Sequence, residues 1–103
     1  MILVLLAVAP ASAQEHPTGI SGRVTTMDGT LFARARIRVV NRATKKSVSA
    51  LTDWNGEYFV QVQPATYDVF VEADSWRPER RKGLKVTEGN RLVVDFVLYP
   101  ARM

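Results

Sequence analysis

The chain has 103 residues, one histidine and no cysteine, with 14 Lys plus Arg against 10 Asp plus Glu and a formal net charge of +4. This length suits a single domain, and a composition of 47% hydrophobic and 23% charged residues excludes a disordered polymer. Without cysteine, a disulfide framework, a zinc-thiolate cluster and a thiol nucleophile are excluded.

The first residues have the pattern of an export signal. Residues 2–9 are all apolar, Pro10 follows, and Ala11-Ser12-Ala13 has the small-x-small pattern that signal peptidase cleaves. This apolar run is shorter than the roughly 20 residues that span a bilayer as a helix. We therefore expect residues 1–13 to be a signal peptide, residues 14–17 a mobile tail, and the mature chain to be periplasmic or extracellular without a transmembrane segment. The alternative is a buried N-terminal strand or helix.

Most of the remaining chain alternates apolar and polar residues with a period of two, which is typical of half-buried β-strands. The predicted inward positions are Ile20, Gly22 and Val24; Ala35, Ile37 and Val39; Tyr58, Val60 and Val62; Tyr67, Val69, Val71 and Ala73; Leu84 and Val86; and Val94, Phe96 and Leu98. Residues 47–52 form the weakest predicted strand. Seven short strands joined by Asp-Gly, Asn-Gly and similar turns predict an all-β antiparallel sandwich over residues 18–99, with residues 100–103 as a C-terminal tail.

Five segments, in order, resemble the carboxypeptidase regulatory-like domain family. They are Ile20-Ser21-Gly22-Arg23-Val24 with Asp28-Gly29; Leu31 with Ala35-Arg36-Ile37; Thr52-Asp53-Trp54-Asn55-Gly56-Glu57-Tyr58; Pro64-Ala65-Thr66-Tyr67-Asp68-Val69; and Val94-Asp95-Phe96-Val97-Leu98. The resemblance implies a seven-stranded Greek-key sandwich of the transthyretin-like, or prealbumin-like, type. It also implies an accessory role, since such domains commonly sit beside peptidases or at the N-terminus of TonB-dependent receptors. Ala65 and Ser75 stand where the family usually has glycine.

Catalytic arrangements find little support in the residues. His16 is the one imidazole and lies in the predicted tail, so a Ser-His-Asp triad has no positioned base. Asp53, before Asn55-Gly56, is interpreted as a side-chain cap of a turn; calcium ligation is less favoured because the later ligands of an EF-hand loop are missing. The acidic residues within the predicted strands fall on outward positions: Asp68, Glu72 and Asp95. We expect no catalytic residue, no metal and no cofactor.

Two basic runs and two phenylalanines are the candidate binding residues. The basic candidates are Arg34, Arg36 and Arg38 in one run and Arg77, Arg80, Arg81 and Lys82 in the other. If the strands around Phe59 and Phe70 form a hairpin, the two rings lie opposite each other on its outer face, as an apolar patch typical of contact surfaces. The alternative is that Trp54, Trp76 or the basic segment covers the pair.

The sequence thus predicts an exported, non-catalytic accessory or binding module that contacts another envelope or secreted protein in trans, or self-associates. An alternative ligand is an anionic envelope polymer or carbohydrate on the basic residues, which otherwise form a solvated face that favours solubility. The competing class is an enzyme with an unfamiliar site. Nucleic acid is not an expected partner, because export separates the chain from it.

Overall fold

The computed structural model describes residues 17–101, so the predicted signal peptide and His16 lie outside the described residues. Within this range the regular structure consists of β1 (Gly19–Thr26), β2 (Arg36–Asn41), β3 (Ser47–Leu51), β4 (Glu57–Gln61), β5 (Ala65–Glu72), β6 (Glu79–Val86), β7 (Arg91–Val93) and β8 (Phe96–Leu98). The described residues contain no helix long and apolar enough to cross a membrane.

The strands form two sheets that pack face to face. The first sheet has the order β4-β1-β7, with β8 also paired to β1, and the second has the order β3-β2-β5-β6. Their inward faces share one core: Ile20, Val24, Ala35, Ile37, Val39, Tyr58, Val60, Tyr67, Val69, Val71, Val86, Val94, Phe96 and Leu98. The β-sandwich is therefore confirmed, and the alternation identified its core positions.

The end of the chain departs from a purely antiparallel arrangement. β7 and β8 both run parallel to β1, where Ile20 pairs with Leu92 and Thr25 with Val97. Between them the main-chain amide of Arg23 donates to Oδ1 of Asp95 at 2.8 Å. A side-chain carboxylate therefore replaces a main-chain acceptor at this point, which divides the ladder into the two short strands β7 and β8. β7 is not among the seven strands predicted from the sequence.

The predicted hairpin between the strands of Phe59 and Phe70 is wrong. β4 pairs with β1, whereas β5 pairs with β2 and β6, so the chain crosses between the sheets after β4. The Tyr67 hydroxyl donates to the carbonyl of Gln63 at 2.6 Å and fixes this corner. Alternation could not distinguish the two arrangements, because strands on facing sheets and strands of one hairpin have the same inward pattern.

β6 begins at Glu79, well before the predicted Leu84. The first half of β6 lacks the apolar-polar alternation in its sequence, because Arg81 stands at a position that faces the core. The Arg81 guanidinium lies 5.4 Å from the centre of the Phe96 ring and donates to the carbonyl of Asp95 at 3.1 Å. At a sheet edge, a long arginine side chain can cover apolar surface while its charged end stays in water.

Candidate functional site

Phe59 and Phe70 lie on the outer faces of different sheets. The Phe59 ring covers the main chain of Gly19, and the guanidinium of Arg91 lies 4.8 Å from the ring centre. The Phe70 ring is half-buried, with the guanidinium of Arg38 at 4.6 Å from its centre. The two rings therefore form no common patch, and arginines, not tryptophans, cover part of each.

A groove of about 630 Å³ follows the outer face of the first sheet. We call it the Phe59 groove; it is lined by Ser21, Gly22, Arg23, Ala50, Leu51, Asp53, Glu57, Tyr58, Phe59, Arg91, Val93 and Asp95. Phe59 and Val93 flank Ser21 in one row across the strands, and Val93 is 64% exposed. Sequence reasoning missed Val93, because its strand is too short to show alternation.

A charged row lies next to this apolar row within the groove. Nη2 of Arg23 is 2.7 Å from Oε2 of Glu57, and the Arg23 amide bonds Asp95 from the other side. These contacts fix the orientation of the polar groups without burying them. The groove therefore offers apolar contact area and oriented hydrogen-bonding groups side by side.

Trp54 stands at the tip of the turn between β3 and β4 and is 85% exposed. Oδ1 of Asp53 accepts the amides of Asn55 and Glu57, each at 2.9 Å, so the predicted side-chain cap is confirmed. Gly56 completes the turn with a φ of 75°. The indole is thus presented on a rigid turn, and its place between an Asx cap and Asn-Gly is a signal from which sequence reasoning could have identified it.

The outer face of the second sheet carries a basic row. Arg38, Phe70 and Arg80 are neighbours across β2, β5 and β6. Arg36, in the next row, forms an ion pair with Glu72 at 3.5 Å. Within residues 17–101, no carboxylate oxygen lies within 4.0 Å of a guanidinium nitrogen of Arg38 or Arg80, so neither forms an ion pair. These two arginines therefore remain available to an anionic ligand.

The other predicted basic residues are not part of this row. Arg34 precedes β2 with a φ of 63° and donates its amide to the carbonyl of Thr52. Arg77 lies over the Tyr99 ring at 5.6 Å from its centre, and Lys82 is exposed on β6. Arg81 lies over Phe96 and donates to the Asp95 carbonyl at the edge of the core, so it is not part of the row of Arg38 and Arg80, and its assignment as a binding residue stays a prediction.

In the described part of the chain, the Tyr58 hydroxyl and the Asp28 carboxyl have clearly shifted pKa values, and both shifts have structural causes. Burial, followed by the negative charge of Asp95, raises the pKa of Tyr58 far above its usual value. Hydrogen bonds from Thr26 and Thr30 lower the pKa of the exposed Asp28. Among residues 17–101, no group of three His, Cys, Asp or Glu side chains is placed to hold a metal ion.

The family model of the carboxypeptidase regulatory-like domain matches residues 19–99. The chain therefore belongs to this family, and the resemblance carried by its five segments is confirmed. Ser75 has a φ of 73°, so this position adopts the left-handed backbone that favours glycine, although the residue is serine.

One curated relative is a viral protein, Structural protein 27 of a virus isolate from Australia/Victoria. It is 33% identical over 79 residues, which are 77% of this chain and 14% of the viral protein. The chain therefore spans a small part of that relative, and the likeness concerns this one domain.

Three solved structures share the fold. A putative carbohydrate binding protein from Bacteroides uniformis has 27% identity and a TM-score of 0.63, over 80% of this chain and 41% of that one. A chain of a type II cohesin-X-dockerin complex from Acetivibrio cellulolyticus has 21% identity and a TM-score of 0.63, over 84% and 60%. Catechol 1,2-dioxygenase from Pseudomonas arvilla has 12% identity and a TM-score of 0.61, over 87% and 54%. At such identities the last two likenesses concern the fold alone.

Proposed function

We propose that this chain is an exported, non-catalytic accessory module that binds another envelope or secreted protein in trans through the Phe59 groove. The observation that carries the proposal is the exposure of Val93 and Phe59 in one row beside the ordered Arg23 and Asp95 groups. Exposed apolar side chains bordered by fixed polar groups are typical of protein contact surfaces.

The rigidity of the groove supports binding to a folded protein rather than to a flexible, hydrated polymer. Arg23 is held by Glu57 and by Asp95, and Phe59 is packed on Gly19. Because these side chains are already ordered, a partner loses little of its binding free energy to ordering them. Family membership and the viral structural relative are consistent with such a module.

A non-catalytic role is supported by the state of the carboxylates in the groove. Glu57 is paired with Arg23, and Asp95 accepts the Arg23 amide, so both are engaged in the sheet. General acid or base catalysis would instead use a carboxyl within hydrogen-bond reach of a substrate proton. The likeness to a dioxygenase concerns the sandwich and gives no reason to assign its chemistry here.

The test is affinity capture from the envelope fraction with the full chain and two valine variants. Val93 and Val97 both lie on the outer face of the first sheet, and both are exposed, at 64% and 41%. We expect Val93→Ser to reduce recovery of a stoichiometric partner at least tenfold and Val97→Ser, outside the groove, to keep it. Equal recovery by both variants, with unchanged melting temperatures, would contradict the proposed surface.

A second candidate ligand is an anionic polymer or carbohydrate on the second sheet. It is favoured by the position of Arg38 and Arg80, which flank Phe70 without a carboxylate partner within the described residues. Binding of a sulfated or phosphorylated polysaccharide should weaken with salt and with the double change Arg38→Gln and Arg80→Gln. The double change Lys45→Gln and Lys46→Gln, which removes the same charge, is the matched control, and equal losses would indicate attraction by net charge alone.

A further inference from the structure

The free edges of the two sheets are not equally protected against strand pairing. β6 carries Arg80, Arg81 and Lys82, and like charges on an edge discourage a second strand. The β8 edge is partly covered, because the Arg77 amide donates to the carbonyl of Tyr99 at 2.8 Å. At β4, the amide and carbonyl of Glu57 are already bonded to Asp53, which leaves the outward groups of Phe59 and Gln61 at this edge.

β3 lacks these protections. Its five residues, Ser47 to Leu51, include no charge and no proline, and all except Ala50 are exposed. It pairs with β2 on one side and with no strand on the other within residues 17–101. Such an uncharged edge strand is a template for an added strand.

The hydrogen-bonding pattern shows which groups of β3 face the free edge. The Asn41 amide donates to the carbonyl of Lys46 at 2.8 Å, so this is a hydrogen-bonded pair of the β2-β3 ladder. Because such pairs alternate in an antiparallel ladder, Val48 and Ala50 bond to β2. The N–H and C=O groups of Ser47, Ser49 and Leu51 therefore point outward.

We propose that β3 pairs antiparallel with β3 of a second copy of this chain, about a two-fold axis at Ser49. This register places Ser49 opposite Ser49 and Ser47 opposite Leu51, so all the outward groups can bond, with about six hydrogen bonds in all. The second sheet of one copy and the second sheet of the other then form one continuous sheet. The inference goes beyond the proposed function, because it rests on main-chain groups of β3; Leu51 and Asp53 also line the Phe59 groove, whereas Phe59 and Val93, which carry the proposed function, are not part of the seam.

Charge and shape at the ends of β3 favour this occupant over an unrelated strand. The same register places the β2-β3 turn of each copy, which carries Lys45, beside the β3-β4 turn of the other, which carries Asp53, so residues of opposite charge lie near both ends of the seam. It also brings the β3-β4 turn, on which Trp54 is exposed, beside the β2-β3 turn of the second copy. A tryptophan that becomes buried at an interface commonly supplies much of the binding free energy.

The absence of native cysteine allows a direct test of the register. In a hydrogen-bonded antiparallel pair, opposite Cα atoms lie about 5.5 Å apart, within the span of a disulfide. We expect Ser49→Cys in the full chain to form a disulfide-linked dimer under mild oxidation. Ser47→Cys is the matched control, because its two copies would lie more than about 10 Å apart along the strands. Equal cross-linking of both variants, or of neither, would overturn the proposed register.

Sedimentation provides a second measurement that needs no cross-link. Because the Ser49 amide points outward, Ser49→Pro removes an edge donor without breaking the β2-β3 ladder. We expect a dimer for the unmodified chain and at least a tenfold higher dissociation constant for Ser49→Pro. Gln61→Pro, at the edge of β4, should leave the dimer unchanged. If the proline variant fails to fold, Ser49→Lys replaces it. An unmodified chain that stays monomeric at about 100 μM, which exceeds the dissociation constants of weak dimers, would overturn the proposal.

Discussion

The hydroxyl of Tyr58 donates to the main-chain carbonyl of Val94 at 2.5 Å, although the two residues lie on opposite sides of β1. The ring reaches Val94 across Gly22: a Cβ at that position would lie 3.0 Å from Cε2 of Tyr58 and would overlap the Val94 carbonyl. The bond thereby ties β4 to the segment between β7 and β8. It also fixes the positions of Val93 and Asp95, which line the Phe59 groove.

Gly22→Ala should destabilise the fold, because the methyl group would separate Tyr58 from Val94. Overpacking of this kind typically costs 1 to 3 kcal/mol, and a main-chain atom as the obstacle favours a value of about 3 kcal/mol. Chemical unfolding measures the change. Ser21→Ala, the neighbouring outward position, is the control and should change the free energy of unfolding by less than about 0.5 kcal/mol.

Tyr58→Phe should cost about 1 to 3 kcal/mol at neutral pH, because it leaves the Val94 carbonyl without its donor. The pKa of Tyr58 is raised in the folded chain, so its contribution is complete below the unfolded pKa of about 10 and is lost as the pH rises above that value. The stability difference between the unmodified chain and Tyr58→Phe should therefore narrow above about pH 10. A stability difference that stays constant up to about pH 11.5, well above the unfolded pKa, would contradict the burial of the Tyr58 hydroxyl.

Arg81 and Arg80 should differ in their effects on stability although they are adjacent in sequence. Arg81 lies over Phe96 and bonds the Asp95 carbonyl, whereas Arg80 points outward beside Phe70. Arg81→Met should lower the free energy of unfolding by about 1 kcal/mol, the usual worth of an exposed cation-π contact with its hydrogen bond. Arg80→Met should have an effect within about 0.5 kcal/mol. Equal effects would show that Arg81 does not close the core.

Export is tested by the mass of the chain recovered from native envelopes. The apolar residues 2–9 and Ala11-Ser12-Ala13 predict cleavage that leaves Gln14 as the first residue. Intact-mass spectrometry should find this mature form in the envelope fraction. An intact Met1 in the cytosolic fraction would contradict the predicted signal peptide.

Much of the fold is predictable from the sequence because burial imposes alternation on each strand. Tyr58, Val60, Tyr67, Val69 and Phe96 are buried as their spacing predicts. Alternation reports which face of a strand is buried, and it does not report which strand lies beside it. The pairing of β4 with β1, and the loss of the expected contact between the two phenylalanines, therefore became visible only in three dimensions.

The candidate site was less predictable, because it depends on pairings between distant segments. The basic runs come together on the second sheet because β5 lies between β2 and β6, which brings Arg38 and Arg80 to either side of Phe70. The same runs also contain Arg81, which belongs to the core edge. Charge density along the sequence cannot separate a free arginine from one whose charge is engaged within the fold.

Site-specific photo-cross-linking in intact envelopes tests directly whether the Phe59 groove is the contact surface. Because the chain has no cysteine, Val93→Cys and Val97→Cys each provide one attachment point for a photoreactive maleimide on the same sheet face. We expect one discrete cross-linked partner protein from position 93 and at least tenfold less from position 97. Equal yields from the two positions, or no cross-linked protein from position 93, would contradict it.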